Sequence, residues 1–335
     1  MVGLVPLLSL PWLKGDMARV ESALRASVEA SDPFLAQVAG HLIAAGGKRL
    51  RPALSVAVGE LAQGLGRAGG GAAGDDVVMG AVAVELVHLG SLYHDDVMDE
   101  ARTRRNVESV NSRWGNLIAI LAGDFLLARA SEIAASLGTE VAGLLATTIG
   151  RLCEGQVREL ATTFDLARSE ESYLTSIEGK TAALMATACR IGAITAGLER
   201  PSVEALTRYG LDIGMVFQIV DDILDVVATD EELGKPAGND IHEGVFTLPV
   251  IRGLSNDAAG ELKALLSSPV STADVEAARH FVRSNGAVPA ALDVARTYAE
   301  RARAELASDP ALASGPVSEA LARVGDHLIE TVPTR

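Results

Sequence analysis

Leu92–Arg105, reading LYHDDVMDEARTRR, decides how the chain is read, together with Phe217–Val226, FQIVDDILDV. Each stretch holds two adjacent aspartates, two apolar residues and a third aspartate. On a helix, residues four apart share a face. Asp95 and Asp99 therefore project together, with Asp96 turned away by about 100°. Asp221 and Asp225 repeat the arrangement, flanked by Asp222. Like charges at this spacing repel and weaken a helix unless a cation lies between them. Magnesium suits the place: it is hard, prefers oxygen, and is commonly held by one or two carboxylates plus substrate phosphates. The bland reading is two acidic patches on solvated helix faces. The apolar neighbours Val97, Met98, Ile223 and Leu224, and the repetition itself, argue against it.

The spacing predicts helices, and the rest of the chain agrees. Residues 53–200 contain no proline and are rich in Ala, Leu and Glu, as long, mostly buried helices require. Helical periodicity runs from Val20 to Ala45, with Pro33 at a break or a new first turn. Gly46-Gly47-Lys48-Arg49-Leu50-Arg51-Pro52 ends that run and starts a helix to about Gly66. Arg67–Gly74 is a loop, and Asp75 and Asp76 offer an N-cap to the helix carrying the first motif. Further helices are predicted over Asn116–Leu137, Glu140–Asp165 and Glu170–Leu198, and from Pro201 into the second motif. Period-2 alternation does not persist, so no strand is predicted. Thr103–Gly115 reads as irregular, and Thr229–Val245 as a charged, glycine-rich candidate lid. Nothing marks a linker, so the expectation is a single all-α domain over residues 1–335.

With 335 residues, 48% of them hydrophobic, the chain has ample material for one large core or two smaller ones. Its net charge of −15 argues against a nucleic-acid partner, which needs a basic footprint. Cys153 and Cys189 show no metal or disulfide spacing and suit a reducing, cytoplasmic setting. Met1–Leu13 is apolar but lacks a basic leader and contains Pro6 and Pro11. It reads as a mobile or surface-docked N-terminus rather than a signal or a span.

The basic residues are uneven. Of 29, five are lysine, and three of those follow glycine: Gly47-Lys48, Gly179-Lys180 and Gly234-Lys235. Lysine is a compact point charge for phosphate, and glycine lets backbone come close. Carboxylate clusters beside Lys48, Arg51, Arg104, Arg105 and Lys235 suggest a diphosphate held through magnesium bridges. Apolar helices around them suggest that the rest of the substrate is hydrocarbon. A clamped diphosphate is a good leaving group, and an allylic carbon leaves as a cation. No Ser-His-Asp set, reactive cysteine or P-loop suggests a competing mechanism.

In order, GGKRLRP, DDVMDEARTRR, GKT, FQIVDDILD and GKPAGND make the chain resemble the trans-type polyprenyl diphosphate synthases over about Gly46–Pro249. The resemblance implies an all-α barrel around a central cavity, usually a homodimer, making a long-chain product that passes to membrane enzymes. It implies three magnesium ions, two at Asp95 and Asp99 and one at Asp221, with Asp222 and Asp225 in support. It assigns isopentenyl diphosphate to Gly47, Lys48, Arg51, His88 and Arg105. It assigns the allylic diphosphate to Arg104, Lys180 and Lys235, with Thr181 and Gln218 facing the developing cation. His88 lies two turns before Asp95 on the same face; a lone histidine there is otherwise a satisfied core residue. Arg102 reads as a surface residue and Trp114 as packing. Two positions depart from the family: Val245 stands where many relatives have a lid lysine, and Asn106 where glycine is common.

Product length is read from the helix before the first motif. Ser91 and Gly90 lie four and five positions before Asp95, with Val87 a turn further. In short-chain relatives bulky aromatics here block the growing chain. From Asp76 to Asp95 the helix spans roughly 28 Å, enough for about six extended isoprene units, so the expected product is about C30 or longer, of the kind used as quinone side chains. Alternatively Gly90 only permits close helix packing. The other readings are a short-chain synthase, a terpene cyclase, a non-catalytic synthase subunit and a calcium module. A cyclase would not need Lys48, Arg51 and Arg105, and a non-catalytic subunit would be expected to lose Asp-motif ligands. The motifs lack the glycine and final glutamate of a calcium-binding EF-hand loop.

Overall fold

The computed structural model describes residues 5–64, 73–233, 236–267 and 270–333. The chain divides into two compact units. The first comprises Met1–Ile149, Leu184–Gly210 and Glu305–Ala322; the second comprises Gly150–Ala183, Leu211–Ala304 and Arg323–Arg335. Both are helical.

The first unit begins with α1 (Val5–Leu8), α2 (Leu13–Ser27), α3 (Pro33–Ala39), α4 (His41–Ala44), α5 (Leu50–Gly64) and α6 (Asp75–Met98). It continues through α7 (Val110–Trp114), α8 (Asn116–Ser136) and the first half of α9 (Thr139–Leu160). The centre of the unit is α6. It is apolar on almost every face and packs on α2, α5 and α8, with Val77 through Leu89 buried except for His88 and Met79. By length and composition it passes for a membrane span, but 72% of that apolar window is buried inside the chain's own core. Only helices that are apolar all round need such enclosure.

Several expectations are corrected. The N-cap of α6 is Gly74; Asp75 and Asp76 occupy the exposed first turn, where acidic charge suits the helix dipole, and Asp75 pairs with Arg19. Of the two readings of Met1–Leu13, mobile or surface-docked, the described part from residue 5 fits the docked one: Leu7, Leu10 and Leu13 are buried, because apolar side chains gain by leaving water. Thr103–Arg104 and Val107–Glu108 form a two-stranded antiparallel ladder where no strand is predicted. Arg105 and Asn106 make its turn with φ of 54° and 61°. Asparagine tolerates that region best among non-glycine residues, which explains how it replaces glycine here. The helix expected to reach Gly66 is described only to Gly64, and most of the loop after it lies outside the described residues.

The second unit holds the end of α9, α10 (Glu170–Ile177), a single π-helical turn at Glu178–Ala182, and the C-terminal half of α12 (Arg200–Val227). The intervening α11 (Ala183–Thr195) belongs almost wholly to the first unit. The candidate lid contains two short helices, α13 (Asp230–Leu233) and α14 (Asn239–His242), followed by α15 (Leu248–Ser255). Val226, Ile241, Phe246, Val250, Leu262, Val275 and Val282 build this unit's core.

Candidate active site

The first aspartate motif closes α6. Asp95 is half-buried and Asp99 exposed, so both reach solvent from one face. Asp96 is 0% exposed. Its Oδ1 accepts two bonds from Arg104, from Nε at 2.7 Å and Nη2 at 2.6 Å. Burial raises the Asp96 carboxyl, and Arg104 opposes that rise. Arg104, expected at the allylic diphosphate, is thus carried by the middle aspartate of the motif.

The GGKRLRP turn lies in the same unit and reaches the same ladder. Arg105 donates from Nη1 to the carbonyls of Leu42, at 3.0 Å, and Gly46. A Cβ on Gly47 would lie 2.8 Å from the Arg105 guanidinium carbon, and φ there is 155°, so only glycine fits. Lys48 is exposed. Arg51 is half-buried, and its Nε meets no hydrogen-bond partner among the described residues. Burial pushes the Arg51 guanidinium down to about 10, leaving it charged at neutral pH. The half-buried His88 is pushed well below its usual range, first by burial and then by Arg51, Arg105, Arg49 and Arg104. A neutral ring among four cations both donates and accepts hydrogen bonds.

The second motif sits on α12 in the other unit. Asp221 is half-buried; Asp222 and Asp225 are 4% and 2% exposed. Tyr173 donates to Asp222 Oδ2 at 2.5 Å, and Gln218 Nε2 donates to Oδ1 at 2.7 Å. Burial pushes the Asp222 carboxyl up to about 7, and these two donors only partly offset it. The Tyr173 hydroxyl rises well above its usual range for the same reason, reinforced by Asp222. Asp225 anchors the segment that follows α13: its Oδ2 accepts from the Asp240 amide at 3.2 Å and its carbonyl from the Gly238 amide at 2.9 Å.

Lys180 and Thr181 lie in the π turn. A Cβ on Gly155 would overlap the Lys180 amide, so glycine lets α9 approach that backbone. Lys180 Nζ donates to Glu159 Oε1 at 2.5 Å, and Thr181 Oγ1 donates to Gln218 Oε1 at 2.7 Å. Thr181, Gln218, Asp222 and Tyr173 therefore form one continuous chain of hydrogen bonds. Lys235 lies outside the described residues.

Of the product-length positions, Ser91 is half-buried and its hydroxyl donates to the His88 carbonyl at 2.9 Å. Val87 is buried. Gly90 packs against α8: a Cβ there would lie 3.1 Å from both the Gly123 carbonyl oxygen and Leu127 Cγ. Close helix packing alone accounts for the glycine.

Among the described residues no three His, Cys, Asp or Glu side chains converge as a ready-made metal site. The hard oxygen donors at Asp95, Asp99 and Asp221 nevertheless fit magnesium, which takes few protein carboxylates and completes its shell with water and phosphate. Both oxygens of Asp222 are occupied by protein donors, which suits the supporting place read for it.

Sequence reasoning did not single out Asp96, Tyr173 or Glu159 for these contacts, nor Arg49 and Glu85, whose side chains pair at 2.7 Å. Glu85 and Asp96 carried a signal, since a charge in a helix buried on most faces requires a partner. Trp114 meets His41 edge-on at 5.0 Å and Arg113 at 4.6 Å.

The polyprenyl synthetase family profile matches residues 32–282. A nonaprenyl diphosphate synthase of Mycobacterium tuberculosis is 39% identical over 95% of this chain and 92% of its own length. Component 2 of the heptaprenyl diphosphate synthase of Bacillus subtilis is 32% identical over 95% of this chain and 88% of its own. A polyprenyl synthase of Caulobacter crescentus, crystallised with calcium and isoprenyl diphosphate, superposes with a TM-score of 0.89 at 36% identity, covering 98% of each chain.

Proposed function

This chain belongs to the polyprenyl synthetase family, and from that membership we propose the reaction it performs: stepwise head-to-tail addition of isopentenyl diphosphate to an allylic diphosphate, giving a long-chain trans-polyprenyl diphosphate. The observation that carries this reading is the presence of both aspartate motifs together with Arg51 and Arg105 around a neutral His88, with Lys48 in the same turn as Arg51. A cyclase has no use for that second cationic pocket, and a non-catalytic subunit has no use for the carboxylates.

Asp95, Asp99 and Asp221 would hold three magnesium ions, with Asp222 and Asp225 in support. Bound magnesium would neutralise the allylic diphosphate and so ease its departure. Arg104, held by Asp96, and Lys180, held by Glu159, are with Lys235 the residues proposed for the allylic diphosphate. Thr181 Oγ1 and Gln218 Oε1 offer oxygen lone pairs to the allylic cation, and the Asp222–Tyr173 pair fixes the Gln218 amide. Arg51, Arg105, Lys48 and His88 orient isopentenyl diphosphate for attack, after which a proton leaves to the released diphosphate.

The small side chain of Ser91 supports a product of about C30 or longer. The chain acts in the cytoplasm as one catalytic domain and hands its product to membrane enzymes. Leu117, Ile120 and Leu121 on α8 are 78%, 41% and 61% exposed, an apolar stripe that supports pairing with a second copy. Incorporation of labelled isopentenyl diphosphate by purified protein tests the reaction. It should require magnesium and cease in EDTA; near-normal turnover in EDTA contradicts the proposal.

A further inference from the structure

Glu85 is 2% exposed on α6, one turn before His88. A carboxylate so deep is stable only when paired. Its Oε1 accepts from Arg49 Nη1 at 2.7 Å and lies 3.9 Å from Arg105 Nη2. Arg49 comes from the GGKRLRP turn, where φ of 49° bends a non-glycine residue into the left-handed region. Arg105 comes from the ladder after the first motif. Among the described residues Glu85 is thus the one carboxylate these two segments share, and it stands between two guanidiniums that repel each other. Arg49 has a second anchor in Glu21, which takes its Nε at 2.5 Å from the rim, where Glu21 is 27% exposed. Among the described residues Arg105 has no such substitute: its other bonds go to the uncharged carbonyls of Leu42 and Gly46.

We propose that Glu85 is a positioning residue for the isopentenyl diphosphate pocket, joining Arg49 to Arg105 so that Arg105 and Arg51 meet the diphosphate from fixed places; this rests on the function proposed above. The negative charge lets three arginines stand within one small volume before any anion arrives. It sits beneath them on a buried helix and does not compete for the ligand. Strain at Arg49 is held by the same contact, because the Glu85 carboxylate fixes the far end of that side chain.

A buried ion pair of merely structural use would alter stability and leave the two substrates equally affected. The test is therefore steady-state kinetics on Glu85→Gln, Glu85→Asp and Glu21→Gln, with each substrate varied in turn and melting temperatures recorded. Glu85→Gln should raise KM for isopentenyl diphosphate by about tenfold or more, with the allylic KM within about twofold. Glu85→Asp, which keeps the charge on a shorter side chain, should show a smaller shift of the same selectivity. Glu21→Gln, which removes an Arg49 partner without touching Arg105, should leave the isopentenyl KM within about twofold. An isopentenyl KM unchanged in both Glu85 variants, equal shifts for both substrates, or an equal shift in Glu21→Gln overturns the role of Glu85. Wild-type protein that incorporates no isopentenyl diphosphate overturns instead the reading on which it rests.

Discussion

Asp96 and Asp222 hold the same place in two copies of one motif, yet Asp96 meets a guanidinium and Asp222 meets a phenol and an amide. Both are turned away from their neighbours into a buried setting, as helical spacing dictates. What fills that setting differs. Arg104 arrives eight residues downstream through the tight turn at Arg105-Asn106. Tyr173 arrives from α10, 49 positions upstream. A countercharge opposes the rise that burial imposes on the first carboxyl, whereas neutral donors only partly offset a rise to about 7 at the second. The repeat therefore sets which oxygens face outward, and each unit settles separately how its inner carboxylate is stabilised.

The outward aspartates should give the largest effects and should respond alike. Asp95→Ala and Asp221→Ala are each expected to lower kcat by about three orders of magnitude or more, with helix content by circular dichroism retained. A variant of one motif with near-normal turnover would break the parallel between the two.

The inner aspartates should respond unequally. Asp96→Asn removes the countercharge that holds Arg104 and should raise the allylic KM by ~30-fold or more. Asp222→Asn keeps one acceptor for Tyr173 or Gln218 and should change kcat/KM by about tenfold or less. The reverse order, measured with both substrates varied, would remove the distinction drawn between guanidinium and phenol.

The motifs also differ four residues before their first aspartate, where Ser91 precedes Asp95 and Phe217 precedes Asp221. Ser91→Phe makes the first motif resemble the second. It should place a ring across the product path and shorten products to roughly C15–C20 with turnover retained. An unchanged product distribution would show that α6 does not measure the chain.

The smallest effect is on stability. The folded Asp222 carboxyl titrates at about 7 against an ordinary 3.8, so its ionisation opposes folding. The stability it contributes is fully present below about pH 4 and is lost as pH rises through about 7. In EDTA, melting temperature should fall over that interval, and Asp222→Asn should flatten the fall more than Asp96→Asn. Equal slopes in the two variants would contradict the difference in environment.

Much of this was legible in the chain. The spacing of Asp95/Asp99 and Asp221/Asp225, the proline-free run and the break at Gly46-Gly47 placed the helices and the outward carboxylates, because each is a local rule. The partners of Asp96, Asp222, Lys180 and Glu85 were not legible. They come from Arg104, Tyr173, Glu159 and Arg49, and nothing in local spacing selects one charged or hydroxyl side chain over another for a tertiary contact. Gly90 allows two readings in the sequence, absence of bulk or close helix packing, and only the approach of α8 favours the second, which no single helix discloses. The short ladder at Thr103–Glu108 escaped because four residues are too few for alternation to register.

The most direct test of the central claim is the product made by purified wild-type protein from isopentenyl diphosphate and a farnesyl or geranylgeranyl starter with magnesium, resolved by chain length. The account predicts polyprenyl diphosphates of about C30 or longer. Products ending at C20, or no condensation at all, would contradict it.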